Sequence, residues 1–264
     1  MKYILQTIFS LFLVFSLCQA ASAQENLNQT DKQGQKQGQW IKKYPNGQVM
    51  YEAFFIDGEP VGEFKRYDEK GNLTSVLDYS TDNDTVSASF YHPNGYIAAK
   101  GKYIDRKKSG KWLFYSDYIE NHLLMECKYE NDKVEDTRIK YHWNGEIAEI
   151  LEFSEGVKSG KWKQYFNDRT LALESTYING KRNGEFKTWH TNGKPEIRGR
   201  YVDNVRTGEW NIYNSDGTLR REIKYNKGIP ENRAELIREE TEYLDKLEKE
   251  GGKIEDPEIT GIIK

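Results

Sequence analysis

Hydrophobic and polar residues alternate along several short segments of the chain. In the segment 219–225, charged residues at even positions alternate with mostly apolar residues at odd positions. The same period of two runs through 49–55 and 97–103. This period is typical of a half-buried β-strand. Residues 208–213 predict a further strand, and the Asp-Gly turn within 215–217 joins it to the segment 219–225. The pattern therefore predicts β-hairpins.

The hairpin unit repeats every 24 residues. The closing aromatic residue recurs in steps of 24, with one step of 26 that an insertion at 117–121 causes; its members are Phe55, Tyr79, Tyr103, Tyr129, Phe153, Tyr177, Tyr201 and Tyr225. A glycine, with an aromatic residue two positions later, keeps the same register at Gly38/Trp40, Gly62/Phe64, Gly110/Trp112, Gly160/Trp162, Gly184/Phe186 and Gly208/Trp210. The third and fifth units carry Val86/Ala88 and Asp136/Arg138 instead. We therefore expect local irregularity of the sheet in those two units.

Short connections between successive strands favour a meander. The sequence predicts an all-β fold, an elongated twisted antiparallel meander of about eight 24-residue β-hairpin repeats and about sixteen strands, with a C-terminal capping α-helix. The predicted boundaries are a signal peptide at 1–23, a disordered lead-in at 24–37, the repeat array at 38–229, the helix at 230–250 and a flexible tail at 251–264.

The amino-terminal segment has the pattern of a secretory signal peptide. A lysine precedes an apolar run, and Ala21-Ser22-Ala23 forms a cleavage site before Gln24. Two alternatives remain open: a membrane anchor, for which the run is shorter than the ~20 residues of a spanning helix, and lipidation at Cys18. The prediction is an exported protein of the periplasm, the outer cell envelope or the medium, without a transmembrane segment after cleavage.

The carboxyl-terminal segment predicts a helix. Asn232 and Glu235 have the spacing of a capping box. An apolar stripe at helical spacing follows, and Gly251-Gly252 ends it. We expect this helix to cover the last open edge of the sheet, because repeat arrays need caps. The alternative is a helix that docks a partner.

Composition and charge narrow the function classes. The chain is rich in aromatics and glycine, with 18 Tyr, 11 Phe, 6 Trp and 22 Gly, which suits twisted sheets with many turns. The net charge is -3 with both signs interspersed, so no nucleic-acid partner is expected. Removal of the signal peptide leaves Cys127 alone in a predicted strand, where it is expected to be a small buried residue.

The repeat motif consists of a glycine, aromatics two and five positions later, and an Asn-Gly turn. It resembles the MORN-repeat family and, more closely, its bacterial variants, some of which carry the label antitoxin-like. The resemblance covers 38–228 and is carried by the six glycine and aromatic pairs above with Tyr67, Tyr115, Tyr165, Trp189 and Tyr213. It implies a sheet of hairpins with a scaffolding or binding role and no single ligand. An exported protein does not suit the antitoxin label.

No residue set in the sequence predicts catalysis. His92, His142 and His190 occupy one repeat position, about two units apart, so a single metal ion could not bind all three. A phosphate-binding glycine loop, a nucleophile elbow and a zinc-protease motif are all missing from the sequence. We therefore expect a non-enzymatic protein without a cofactor or a metal. An enzyme with a site assembled between repeats is the least favoured alternative.

One aromatic residue per unit could form a binding stripe. It lies five positions after each marker glycine and should face away from the Trp/Phe positions; its members are Tyr67, Tyr91, Tyr115, Tyr141, Tyr165, Trp189 and Tyr213. Such tyrosines commonly pack along a sheet with the hydroxyl in water. If the stripe is partly exposed, it could bind a protein or stack against a glycan. The leading hypothesis is an exported scaffold that binds a protein partner, and the alternative is a carbohydrate-binding module of the cell surface.

Overall fold

A computed structural model of the chain describes residues 27–79, 84–238 and 242. The described residues form nineteen strands: β1 (Gln29–Thr30), β2 (Lys36–Lys43), β3 (Val49–Ile56), β4 (Glu59–Tyr67), β5 (Leu73–Tyr79), β6 (Thr85–Tyr91), β7 (Ile97–Ile104), β8 (Lys107–Tyr115), β9 (Leu123–Glu130), β10 (Lys133–Tyr141), β11 (Ile147–Ser154), β12 (Val157–Tyr165), β13 (Leu171–Ile178), β14 (Lys181–Arg182), β15 (Gly184–Trp189), β16 (Pro195–Val202), β17 (Val205–Tyr213), β18 (Leu219–Asn226) and β19 (Ile229–Pro230). A short helix, α1, follows at 233–238, and Glu242 is also helical.

The strands follow one another as antiparallel hairpins, as the sequence predicts. The chain divides into two compact units after Val157. In the first unit, each strand from β1 to β10 pairs with the next one. In the second unit, the same order runs from β12 to β19, with β14 and β15 both pairing with β13. The count exceeds sixteen because β1, β14 and β19 are additional two-residue strands.

Two kinds of turn connect the strands. Within the first hairpin, Gly47 N donates to Tyr44 O, and Gly47 has a φ of 87° whereas Asn46 is not in the positive-φ region. This is the turn in which a glycine follows a type I turn. Between hairpins, Asp57 and Gly58 both have positive φ, at 50° and 84°, as the tighter type I′ turn requires. In the Asn-Gly pairs, therefore, only the glycine supplies the left-handed conformation.

The repeated marker glycine is a bulge residue. Gly62 has a φ of 66°, and the register of β3 against β4 shifts between Glu52 and Phe54, opposite to it. A Cβ at Gly62 would meet no atom within 4 Å, so backbone conformation rather than space selects glycine.

The two divergent units are not irregular in the way the sequence predicts. In the third unit, β5 pairs with β6 without any shift, from Ser75 to Tyr79, so the bulge of the other units is absent there. In the fifth unit, Asp136 keeps the bulge with a φ of 67°. An aspartate tolerates this conformation better than a branched residue such as Val86 would. The predicted local irregularity is thus not seen in the pairing of β5 with β6, and the fifth unit has the same bulge as the other units.

Large aromatic rings form the core of each of the two compact units. Trp112 is only 1% exposed, and its ring centroid lies 5.1–6.4 Å from those of Phe90, Tyr103, Phe114 and Tyr129. In the second compact unit, which begins after Val157, Trp210 is the counterpart of Trp112 and is 3% exposed. Trp112 therefore joins residues of four successive strands, β6 to β9, in a single cluster.

At Trp112 and Trp210, a glycine eleven positions earlier lets the ring lie close to the sheet. A Cβ at Gly101 would lie 2.2 Å from the ring of Trp112, and a Cβ at Gly199 would lie 2.2 Å from the ring of Trp210. Both glycines have ordinary φ, so close approach selects them. The same position holds Ala53 before Phe64 and Leu151 before Trp162, whose ring is only half-buried.

The fifth unit fills the place of its missing aromatic with an ion pair. The Arg138 guanidinium lies 5.3 Å from the ring centroid of Phe153 and donates to Glu149 Oε1 at 2.9 Å. Glu149 is 8% exposed, and Lys140 Nζ lies 3.4 Å from the same oxygen. The Arg138 stem and guanidinium thus pack where the other units place a ring.

The amino-terminal lead-in is ordered from residue 27, which corrects the prediction of disorder over 24–37. β1 pairs with β2, and the Asn28 side chain bonds both backbone groups of Ile41, at 2.8 and 3.1 Å. Asn28 thereby occupies hydrogen-bonding positions that a neighbouring strand would use. The rest of the predicted lead-in and the whole predicted signal peptide lie outside the described residues.

The carboxyl-terminal helix packs against the last hairpins. Leu236 contacts the cluster that contains Trp210 and Ile223. The predicted capping box is not formed by Asn232, whose buried Oδ1 has no hydrogen-bond partner among the described residues. The later apolar residues of the predicted helix and the tail 251–264 lie outside the described part of the chain. No helix in that part is long and apolar enough to span a membrane.

We predict that Gly101→Ala destabilises the protein by about 1–3 kcal/mol, as overpacking does. Alanine is normally favoured over glycine in a strand, so a loss of stability would report the clash with Trp112. Urea unfolding measures the free energy of unfolding. In a Trp112→Phe background, the smaller ring should reduce the cost of Gly101→Ala. An equal cost in both backgrounds would show that the ring does not lie on Gly101.

Candidate binding surface

The β-sheet has two chemically different faces. The core face carries the buried aromatics; in β3, Ala53 and Phe55 are 6% and 5% exposed. The polar face carries the alternate residues of the same strand, Glu52 and Phe54, and Phe54 is 48% exposed. This alternation follows from the period of two of a β-strand. A binding function of the sheet therefore has two surfaces to use.

The predicted aromatic stripe is half-buried, and its best-defined member lies on the polar face. All seven residues, Tyr67, Tyr91, Tyr115, Tyr141, Tyr165, Trp189 and Tyr213, have intermediate exposure. Tyr67 donates its hydroxyl to Glu52 Oε1 at 2.6 Å. Because Glu52 belongs to the polar face, Tyr67 faces away from the core aromatic Phe64, as the sequence predicts. Each stripe residue also follows a shift in strand register, such as the shift between Arg66 and Tyr67.

Burial and neighbouring carboxylates raise the pKa of two stripe tyrosines. Burial, together with the hydrogen bond and charge of Glu52, raises the pKa of Tyr67 to about 12. Burial and then the charge and hydrogen bond of Glu126 likewise raise the pKa of Tyr141. Glu126 also pairs with Lys111 Nζ at 3.1 Å. The stripe is therefore embedded in a network of charged groups rather than exposed as isolated rings.

The histidines of the repeat position tie successive hairpins together. His92 Nε2 lies 3.2 Å from Tyr115 O, and His190 Nε2 lies 3.0 Å from Tyr213 O. Tyr44 uses its hydroxyl in the same way, donating to Tyr67 O at 2.9 Å. Each of these side chains bonds the backbone of a stripe residue in the next unit. The histidine position thus has a structural role that the sequence pattern alone did not show.

The described residues contain no group of three or more His, Cys, Asp and Glu side chains that could hold a metal ion. Cys127 is 3% exposed, and burial raises the pKa of its thiol. A buried thiol with a raised pKa is a poor nucleophile. The arrangement of Cys127 therefore matches the small buried residue that the sequence predicts.

A row of basic residues on the core face was missed by the sequence analysis. The cationic group lies 4.5–5.7 Å from the centroids of neighbouring aromatic rings, at Lys36, Lys108, Lys158, Arg182 and Arg206. These residues share one repeat position, two residues before the marker glycine, so the period of 24 could have revealed them. A cation over an aromatic face is stabilised by the ring quadrupole.

The first two hairpins of the core face enclose an open groove of 690 Å³. Its aromatic lining includes Tyr51, Phe55, Phe64 and the stripe residue Tyr67, and its basic lining consists of Lys36 and Arg66. Phe55 and Phe64 are buried, whereas Arg66 is exposed. Lys36 Nζ hydrogen-bonds the Tyr51 hydroxyl at 3.0 Å. The groove combines an apolar floor with cationic walls, which the predicted stripe does not.

We predict that the stability of the protein falls as the pH rises from 10 towards 12, in part because Tyr67 ionises. Its pKa in the folded state, about 12, exceeds the ordinary value of 10.0, so its contribution is complete below pH 10 and is lost across this interval. Urea unfolding at a series of pH values should show a shallower loss for Tyr67→Phe. Ultraviolet titration of Glu52→Gln should show an earlier ionisation of Tyr67. Identical profiles for all three proteins would contradict the coupling.

Comparisons with known proteins identify the repeat. Four segments, 36–57, 60–80, 182–203 and 206–227, match the family model described as MORN repeat variant. No curated protein matches the chain. Two solved structures align with it at 14% identity: one titled as a TcdB2-TccC3-Cdc42 complex (TM-score 0.22, 76% of this chain) and one of the Photorhabdus luminescens Tc holotoxin pore (TM-score 0.21, 75%).

This chain spans 12% of the length of each of those two proteins. At such TM-scores, the alignments establish neither a common fold nor a common activity. The family matches, in contrast, coincide with hairpins of the structure, since 36–57 contains β2 and β3 and 206–227 contains nearly all of β17 and β18. The chain is a repeat protein with hairpins that match the family model described as MORN repeat variant at these four places.

Proposed function

We propose that the protein is an exported, non-catalytic scaffold that binds a protein partner in the cell envelope or outside the cell. The observation that carries the proposal is the stripe of one half-exposed aromatic residue in each of seven hairpins. Protein interfaces are enriched in Tyr, Trp and Arg, and their energetically dominant residues are often of these types. A repeat sheet presents such residues at a regular spacing, about two strand separations or ~9.5 Å.

Charged groups around the stripe favour a protein partner. Glu52 and Glu126 contact stripe tyrosines, and Lys111 pairs with Glu126. Aromatic anchors surrounded by charged residues of both signs resemble the core and rim of a transient interface. Export is proposed on the basis of the signal-peptide pattern, and the non-catalytic role on the basis of the missing catalytic motifs. No cofactor is required for this role.

Site-specific photo-crosslinking tests the binding surface. A photoreactive amino acid at Tyr115 or at Tyr165 should crosslink the same partner in the native host. The matched control is Tyr118, which is 88% exposed but lies outside the stripe, in the insertion. We expect no crosslink from position 118 and a loss of at least tenfold in partner affinity for Tyr115→Ala.

Three outcomes would contradict this proposal. One is crosslinking of unrelated proteins from positions 115 and 165, and another is equal crosslinking from position 118. The third is binding of the protein to a glycan array that Tyr115→Ala and Tyr165→Ala abolish, which would instead support the carbohydrate-binding alternative.

Intact-mass measurement tests the localisation. Protein purified from its host should begin at Gln24, because Ala21-Ser22-Ala23 is the predicted cleavage site. Fractionation should place it in the periplasm, the envelope or the medium. A lipid-modified terminus at Cys18 would place the protein on a membrane surface, and an uncleaved chain in the cytoplasm would refute export.

A further inference from the structure

The basic groove of the first two hairpins contains positive charge that no carboxylate neutralises. Among the described residues, neither Lys36 nor Arg66 forms an ion pair with an acidic side chain. Lys42, which is exposed and in register with Tyr51, adds a third cation beside them. The whole chain has a net charge of -3, so this concentration of positive charge is local.

Aromatic rings hold the two lining cations in place. Lys36 Nζ lies 4.5 Å from the ring centroid of Phe55 and 5.3 Å from that of Tyr51. The Arg66 guanidinium carbon lies 5.2 Å from the ring centroid of Phe64. Stacking on a ring face leaves the N–H donors at the edge of a guanidinium available for a ligand.

Basic residues elsewhere on the core face use some of their hydrogen-bond donors within the protein. Arg182 donates to the Tyr201 hydroxyl at 3.2 Å, and Arg206 donates to the Tyr225 hydroxyl at 3.0 Å. In the fifth unit, Glu149 neutralises Arg138. Arg66 has no such side-chain partner among the described residues. Lys36 likewise bonds a tyrosine hydroxyl, at 3.0 Å, so Arg66 is the groove cation whose hydrogen-bond donors remain for an external anionic group.

The lining also limits the kind of anion. An arginine fork matches a carboxylate, and the floor of Tyr51, Phe55 and Phe64 suits an adjacent apolar group. Asp68 lines the same groove, where its carboxylate accepts hydrogen bonds from Asn72 and from the backbone of Lys70. Its negative charge disfavours a ligand with several charges, such as a cluster of phosphates. The volume of 690 Å³ is within the usual range of ligand sites.

We propose that this groove binds an acidic peptide segment of a protein partner, in which a glutamate or aspartate is next to an aromatic or aliphatic residue. The carboxylate would accept hydrogen bonds from Arg66 and Lys36, and the neighbouring side chain would lie on the aromatic floor. The inference rests on the proposed function, because it names the chemistry of the partner. It concerns the groove, to which the stripe contributes Tyr67, whereas the proposed function is tested at Tyr115 and Tyr165, which do not line the groove.

Fluorescence anisotropy with the full mature chain tests the groove directly. The probe is a labelled synthetic peptide with one glutamate next to one phenylalanine and no other charged side chain, and the neutral probe replaces the glutamate by glutamine. We expect the acidic probe to bind, and the neutral probe to bind at least tenfold more weakly. Inorganic phosphate and vesicles of phosphatidylcholine with phosphatidylserine should not compete with the acidic probe.

Two variants with matched charge separate the groove from general electrostatics. Arg66→Gln removes a groove cation, and Lys65→Gln removes the neighbouring cation of the polar face, which pairs with Glu63. We expect Arg66→Gln to weaken binding at least tenfold and Lys65→Gln to change it less than twofold. Arg66→Lys keeps the charge without the fork and should give an intermediate affinity. Circular dichroism and thermal unfolding establish that each variant is folded.

Several results would overturn the inference. Equal losses for Arg66→Gln and Lys65→Gln would indicate nonspecific charge attraction. Equal affinity for the neutral probe, no binding of the acidic probe, or displacement by phosphate or by vesicles would exclude an acidic peptide as the ligand. If stripe crosslinking succeeds while Arg66→Gln has no effect, the proposed function stands and the groove inference fails. If the groove binds the probe but crosslinking from the stripe fails, the groove inference stands and the proposed function fails.

Discussion

Contact between a large aromatic ring and the backbone of a neighbouring strand is the interaction on which the hairpins depend. Trp112 lies on Gly101, and Trp210 lies on Gly199, closely enough that no side chain fits between them. A sheet of small hairpins buries little surface by itself. Placing a ring directly on the adjacent strand buries most of that ring and joins several strands in one cluster. In these two clusters, a large ring and a glycine are therefore matched in register.

Bulges and turns position these pairs. The marker glycine, as at Gly62, adopts positive φ and shifts the register of the strand pair immediately before the core aromatic. The fifth unit shows that the conformation matters more than the residue, because Asp136 keeps the bulge and Arg138 occupies the place of the ring. Side chains such as His92 and Tyr44 then bond the next hairpin at the turns. Each unit is thus fixed to its neighbour at the core face and at one edge.

The same construction leaves two surfaces for binding. The polar face carries the half-exposed stripe, in which Tyr67 and Tyr141 interact with carboxylates. On the core face, aromatic rings pack against one another and against cations, and a groove lies beside Lys36 and Arg66. The repeat position of Arg66 is apolar in three other hairpins, as at Phe114, and Lys140 at the same position pairs with Glu149. Arg66 is the one arginine at this position, so the groove is a feature of the first hairpins rather than of the repeat.

The sequence by itself determined the period, the hairpins and the position of the turns. These follow from local rules, since the alternation of residues and the conformational preference of glycine act within a few positions of the chain. The stripe was also identified by its spacing, and the opposite facing of Tyr67 and Phe64 follows from a regular strand.

Only the tertiary structure decided which glycines are required for a positive φ and which for the close approach of an aromatic ring. Gly62 and Gly101 look alike in sequence, yet the first adopts positive φ and the second admits Trp112. Order in the lead-in depends on Asn28 reaching Ile41, and the groove depends on Lys36 and Arg66 meeting across strands. These relations join residues 11 to 30 positions apart, through registers that each bulge shifts. Spacing along the chain cannot specify them, because the distance between two side chains is set by the paired strands.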